Sequence, residues 1–183
     1  MLKMDGSNSK MELLGWGKSL LIAAGIAVII RTFLFSPYIV EGASMEPTLH
    51  NEEKIFVNKM NYVTSFKRGD VVIIKGPAKN YVKRIIGLPG DKIEMNDDQL
   101  LINGEPVKES YLTENRKAAE EMGSLLTGNF GPISVPANHY FVMGDNRLKS
   151  MDSRNGLGFI KQTAIIGESE FVIFPFSNIR NVK

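Results

Sequence analysis

A chain of 183 residues with a formal net charge of +2 can bury one sizeable core, and it is too weakly charged to imply nucleic-acid binding. Basic residues pair at Lys67-Arg68 and Lys83-Arg84 but form no run. The absence of cysteine excludes disulfides, thiolate metal sites and a cysteine nucleophile, and the two histidines, His50 and His139, have no metal-ligand spacing, so neither metal nor cofactor is expected.

Leu13 to Phe35 is the one strongly apolar segment. A bilayer core about 30 Å thick needs roughly 20 helical residues at about 1.5 Å rise each. The stretch therefore predicts a transmembrane helix, with Lys18 and Arg31 near the two interfaces, where long basic side chains snorkel. Lys3, Lys10 and Lys18 lie at its start, whereas residues 36–53 hold no Lys or Arg. The positive-inside rule then makes residues 1–12 a cytoplasmic tail, 13–35 the anchor and 36–183 an extracytoplasmic domain. A cleaved leader would share the basic start, but Phe33-Leu34-Phe35 and Ser36-Pro37-Tyr38 lack the Ala-x-Ala that such sites prefer. A buried core helix is the other alternative, and Arg31 speaks for it.

Beyond Pro37 the pattern changes to short runs rich in β-branched and aromatic residues. Strands are predicted at Tyr38–Val40, Lys54–Val57, Asp70–Ile74, Tyr81–Ile86, His139–Met143 and Glu170–Phe174. Asn103-Gly104, between Leu100-Leu101-Ile102 and Glu105-Pro106-Val107, predicts a hairpin, because both residues tolerate positive φ. Thr113 to Met122 predicts a helix, and Gly123 to Asn138 a surface loop. Short strands without alternating helices imply a mostly β domain, an antiparallel sandwich or barrel-like fold.

Three clusters could carry chemistry. Ser44, in Ser44-Met45-Glu46-Pro47-Thr48-Leu49, is a nucleophile only if a base lies within hydrogen-bond reach. His50 and His139 read as ordinary surface histidines. Lys83 is the better base: alternation puts Lys83 and Arg84 on opposite faces of one strand, so one of them points inward. A lysine in apolar surroundings loses hydration of its charged form and becomes available as free amine, which an arginine cannot do. The same pattern also fits an edge strand that exposes both. The third cluster, Gly144 to Arg154, mixes turn formers, hydroxyls and charges. Asp145 or Asp152 pairing with Arg147 or Arg154 would pin that loop, and Ser150 or Ser153 would orient a nearby amine.

In this order, the three clusters resemble the type I signal peptidases, the Gram-positive bacterial form in particular. The family pattern Ser-Met-x-Pro-Thr-Leu stands as Ser44 to Leu49, Tyr-(Val/Ile)-Lys-Arg-x-x-Gly-x-Pro-Gly-Asp as Tyr81 to Asp91, and the Gly-Asp-Asn block as Gly144 to Arg154, with Arg68-Gly69-Asp70-Val71-Val72 between the first two. The resemblance implies a membrane-anchored serine endopeptidase that removes signal peptides from secreted preproteins after Ala-x-Ala-like sites. It makes Ser44 the nucleophile and Lys83 the general base, with Ser150 holding the Lys83 amine. Asp152 and Arg154 would form an ion pair supporting the loop, and Asp145 would belong to the same scaffold. The Ser44 backbone N–H would be one oxyanion donor; a hydroxyl two residues earlier supplies the second in some members, and here that position is Gly42. Tyr38, Val40, Met45, Leu49 and Val82 are the expected walls of the substrate pockets. The implied partners are preproteins and the lipid bilayer, with no nucleic acid and no metal. A self-cleaving repressor-type peptidase would need a helix-turn-helix where residues 1–35 place an apolar span. An inactive strand-capturing module would not need both Ser44 and Lys83.

Overall fold

The structure, a computed structural model of the chain, describes residues 6–29, 35–59 and 65–182. Helix α1 (Gly6–Ile29) has 24 residues, and its side chains over residues 15–28 are exposed. Among the described residues no helix is long and apolar enough to cross a membrane. The far end of the expected span, with Arg31, Phe33 and Leu34, lies outside the described residues, as does Lys3.

The remainder is mostly β, and the strand pairs are antiparallel. The strands are β1 (Phe35–Ile39), β2 (Lys54–Asn58), β3 (Val71–Ile74), β4 (Tyr81–Gly87), β5 (Lys92–Asn96), β6 (Gln99–Ile102), β7 (Glu105–Val107), β8 (Phe130–Ser134), β9 (His139–Met143), β10 (Ile160–Lys161), β11 (Ile165–Phe174) and β12 (Arg180–Asn181). The larger sheet runs β1-β2-β11-β3-β4-β9-β10, with β12 on β11, and the smaller runs β7-β6-β5-β8. Helix α2 (Thr113–Glu121) falls where sequence placed a helix. The predicted hairpin forms between β6 and β7, with φ of 55° at Asn103 and 87° at Gly104.

Strand β3 shows why an unbroken apolar run can be a strand in an antiparallel sheet. Val71 and Ile73 join one core cluster with Val40, Met45, Leu49, Ile55 and Val57, while Val72 and Ile74 join another with Phe66, Ile85 and Val142. Both faces are buried, so no polar alternation is needed. The small sheet packs its own face, through Ile93, Met95, Leu100 and Ile102, against Ile86 of β4 and Phe141 and Met143 of β9.

Two expectations are corrected. Gly123 to Asn138 is not all loop, because it contains β8, which pairs with β5. Pro132 is tolerated there since β8 is the edge of its sheet, where a missing N–H costs no ladder bond on the open side. The edge-strand alternative for Lys83 and Arg84 also falls. Strand β4 lies between β3 and β9, and both side chains are only 2% exposed.

Candidate active site

Cross-strand pairing fixes where the two cations of β4 point. Lys83 stands opposite Val72 and Arg84 opposite Val71, so they leave the sheet on different faces. Lys83 Nζ lies 2.6 Å from Ser44 Oγ and donates to the Val82 carbonyl at 2.9 Å. Burial lowers the Lys83 pKa from 10.5 to about 8; Asp152 and Asp145 pull it back up, and Lys79 pushes it down. An amine so placed can take the proton of the serine hydroxyl and activate it. Neither histidine shares this site: His50 is exposed 4.0 Å from Glu46, and His139 Nδ1 meets the Ala137 carbonyl at 2.8 Å.

Arg84 does structural work on the other face. Its guanidinium donates to both Asp145 oxygens at 2.9 and 2.7 Å and to the Gly69 carbonyl at 2.7 Å, and stacks over the Tyr111 ring at 4.0 Å. Asp145 also accepts from Thr48 Oγ1 at 2.5 Å, which ties the Gly144 to Arg154 loop to the Ser44 segment. Asn146 completes that tie: its backbone N–H donates to the Ser44 carbonyl at 3.1 Å, and its Nδ2 to the Ala43 carbonyl at 3.0 Å. Asn115 of α2 braces both chains, donating to the carbonyls of Glu46 and Asp145 at 3.0 and 2.9 Å. Gly144 is required by close approach. A Cβ there would stand 2.3 Å from Ser150 Oγ and 2.4 Å from the Ser44 carbonyl oxygen.

The expected Asp152–Arg154 ion pair is present at 2.8 Å, and Asp152 also accepts the Gly144 N–H at 3.0 Å. The Arg154 guanidinium and these bonds outweigh burial and hold the Asp152 carboxyl below its usual range, although burial is the largest single influence and acts upward. Asp145 pairs with Arg84, not with Arg147 or Arg154. Arg147 instead pairs with buried Glu109 at 2.6 Å, a partner the sequence did not suggest. Ser150 does not hold the Lys83 amine as the resemblance implied: it is buried, but Lys83 donates to Ser44 and Val82. The Ser150 hydroxyl leans on the Asp152 carboxylate without a well-formed hydrogen bond. Gly42 has no side chain to donate, and its N–H is committed to Asn51 Oδ1 at 2.8 Å.

A cleft of about 800 Å³ opens at Ser44 and Lys83. Four of the five expected wall residues line it: Tyr38, Val40, Met45 and Val82. Leu49 does not, being fully buried in the core beneath. Sequence missed Ile73, Tyr81 and Met151, which also line the cleft, and the two lysines Lys79 and Lys149 at its walls. Tyr81 stood inside the second motif, and Lys149 and Met151 inside the third, so these three had a readable signal. A more apolar hollow of about 510 Å³, between Phe66, His139 and Ile165, shares no lining residue with the cleft and holds neither Ser44 nor Lys83. Ser44 and Lys83 lie in the cleft.

With the serine and lysine in contact, the comparison with known proteins is decisive. The sequence profile described as signal peptidase, peptidase S26, matches residues 13–174. The chain belongs to that family. A signal peptidase I of Bacillus licheniformis is 57% identical over 98% of each chain. Signal peptidase I T of Bacillus subtilis (strain 168) is 57% identical over 93% of this chain and 90% of that one. The crystal structure of a signal peptidase I from Enterococcus faecalis V583 matches with a TM-score of 0.53 at 34% identity, over 57% of this chain and 97% of that one. That likeness places the mostly β, antiparallel fold within the family's architecture.

Proposed function

We propose that the chain removes signal peptides from secreted preproteins, with Ser44 as nucleophile and Lys83 as general base. Family membership supports the reaction, and the 2.6 Å contact between Lys83 Nζ and Ser44 Oγ carries the assignment of the residues. The neutral amine takes the hydroxyl proton as Oγ attacks the scissile carbonyl. The resulting ammonium then gives that proton to the leaving amine of the mature protein. An acyl-enzyme on Ser44 remains, and Lys83 draws a proton from the incoming water to release the signal peptide. The Ser44 backbone N–H is the first oxyanion donor in this reading. The Gly42 N–H, bonded to Asn51, is not available as the second.

The substrate lies as an added strand along β4. Strand β9 pairs with β4 only from Arg84 onward, so among the described residues no strand flanks Tyr81 to Lys83 on the side away from β3. Small side chains facing the wall of Val40, Met45 and Val82 fit an Ala-x-Ala-like site. The domain is held at the outer membrane surface by residues 13–35, with residues 1–12 cytoplasmic and 36–183 outside. The lysines that precede the apolar stretch and the absence of Lys and Arg from residues 36–53 support this orientation.

The test is direct. Purified protein in detergent is incubated with a preprotein, and the cut is mapped by mass spectrometry. The wild type should cut once after a small-x-small site, and Ser44→Ala and Lys83→Ala should each lower the rate at least about a thousandfold. Unimpaired cleavage by either variant would remove that residue from the mechanism.

A further inference from the structure

A second apolar cavity, of about 460 Å³, adjoins the cleft and shares two of its lining residues, Tyr81 and Met151. Its other walls include Ile74, Leu157, Phe159 and Ala164, and Lys75 and Lys161 also line it. Its partition with the cleft is a fitted one. A Cβ on Gly76 would stand 2.5 Å from the Tyr81 ring, and one on Gly156 would stand 3.0 Å from Met151 Cγ. Each glycine lets the side chain beside it approach the backbone closely. Met151 and Phe159 remain exposed, although solvent gives them no partner there.

The register of β4 says which part of a bound peptide would meet this cavity. Directly opposed residues of neighbouring strands share a face, and successive residues alternate. On β4, Val82 packs toward the core that holds Val40 and Met45, whereas Tyr81 packs with Ile74 toward the core that holds Ile160 and Ile165. Two small substrate residues that face the Val82 side must therefore stand opposite Asn80 and Val82, because β9 occupies the edge from Arg84 onward. The residue between them then stands opposite Tyr81 and points the other way, toward Tyr81, Met151 and the cavity behind them.

Resting on the function proposed above, we propose that this cavity is a specificity subsite that takes the middle residue of the small-x-small site and favours a large apolar side chain there. A mostly apolar groove that also carries Lys75 and Lys161 rejects an ammonium, which would lose hydration and meet only like charge. It rewards a buried phenyl or isobutyl group, and a methyl group is too short to reach it.

The experiment uses the full-length protein in detergent and a set of preproteins that differ only in the middle residue: Ala, Leu, Phe and Lys. The expected kcat/KM for Leu and Phe exceeds that for Ala by about tenfold, with Lys at or below Ala. Phe159→Ser should bring the Phe-to-Ala ratio close to one, and Phe159→Leu should restore most of it. The ratio is taken within one enzyme, so a lower folded fraction in a variant cancels. A wild-type ratio near one, or a high ratio that survives in Phe159→Ser, would overturn the subsite. Failure to cleave any member of the set would instead overturn the peptidase reading on which it rests, and the subsite with it.

Discussion

Lys83 is held where its charged form is poorly solvated, 2% exposed among apolar neighbours, with its pKa lowered to about 8. The functional consequence has a definite sign. In the proposed mechanism the base is the neutral amine, so kcat/KM should climb about tenfold per pH unit below the pKa and level off above about 8, with roughly one tenth of the lysines neutral at pH 7. A rate flat down to pH 5 would contradict Lys83 as the base. Stability carries the opposite face of the same shift. The folded pKa lies below the unfolded value of 10.5, so between about 8 and 10.5 the unfolded chain binds more protons and folding gains stability as pH rises. Below about 8 the full penalty is present. Lys83→Met should therefore be inactive yet more stable than the wild type at pH 7, by up to about 3 kcal/mol, with the difference shrinking toward pH 10.5. Urea unfolding of both proteins at pH 7 and pH 10 measures it, and a gap that does not shrink would refute the account. Sequence could reduce the choice to Lys83 or Arg84 by alternation alone. It could not tell that both are buried, because the strands that cover them come from distant parts of the chain.

At the scale of elements, the Ser44 segment has no regular secondary structure of its own and is shaped by what grips it. Thr48 and the Ser44 and Ala43 carbonyls are tied to the loop after β9, and Arg180 of β12 donates to the Thr48 carbonyl at 2.7 Å and pairs with buried Glu53 at 2.8 Å. The pivot of these ties is Asp145 against Arg84, with side chains 0% and 2% exposed. Removing one member of a buried pair strands the other, so Asp145→Ala should cost about 3–5 kcal/mol in urea unfolding. It should also lower activity in the protein that remains folded, since Ser44 loses its brace. A loss below about 1 kcal/mol would show that Arg84 finds another partner and that the brace lies elsewhere. The loop's pairing could not be read from sequence spacing, which offered Arg147 and Arg154 as neighbours for Asp145. Local pairing was right for Asp152 and Arg154, two residues apart, and wrong for Asp145, whose partner arrives from β4. The strands were legible where β-branched residues cluster, as in β2, β3, β4 and β9. They were not at β8, where Gly131 and Pro132 read as a loop, nor at the short β10 and β12, which exist only as pairs to longer neighbours.

At the scale of the whole molecule, the proposed membrane location asks which surface of the domain meets lipid. Register gives one answer. Ile39, Lys54 and Phe174 stand side by side across β1, β2 and β11, and Pro37, Phe56 and Phe171 form the next row on the same face. That face lies opposite the core residues Ile55, Val57 and Val172. Ile39, Phe171 and Phe174 are exposed, and Phe176 and Ile179 in the following turn extend the patch, at 79% and 60%. Lys54 Nζ sits 4.9 Å over the Phe174 ring, an arrangement that lets the stem lie on apolar surface while the ammonium stays at a polar boundary. Each large apolar side chain moved from water to hydrocarbon contributes about 1.5–3 kcal/mol, enough for a few of them to set the domain's orientation once an anchor has brought it to the surface. Strand β1 carries this patch and follows the apolar stretch directly in the chain, so a bilayer that held one would lie close to the other. The chain's one tryptophan, Trp16, allows a clean test. In a Trp16→Phe background, Phe176→Trp places the probe in the patch and Met122→Trp places it at the exposed end of α2. In vesicles containing brominated acyl chains, emission from the first should be quenched and blue-shifted, and emission from the second should not. Equal quenching at both positions, or none at position 176, would mean that this face does not rest on the bilayer.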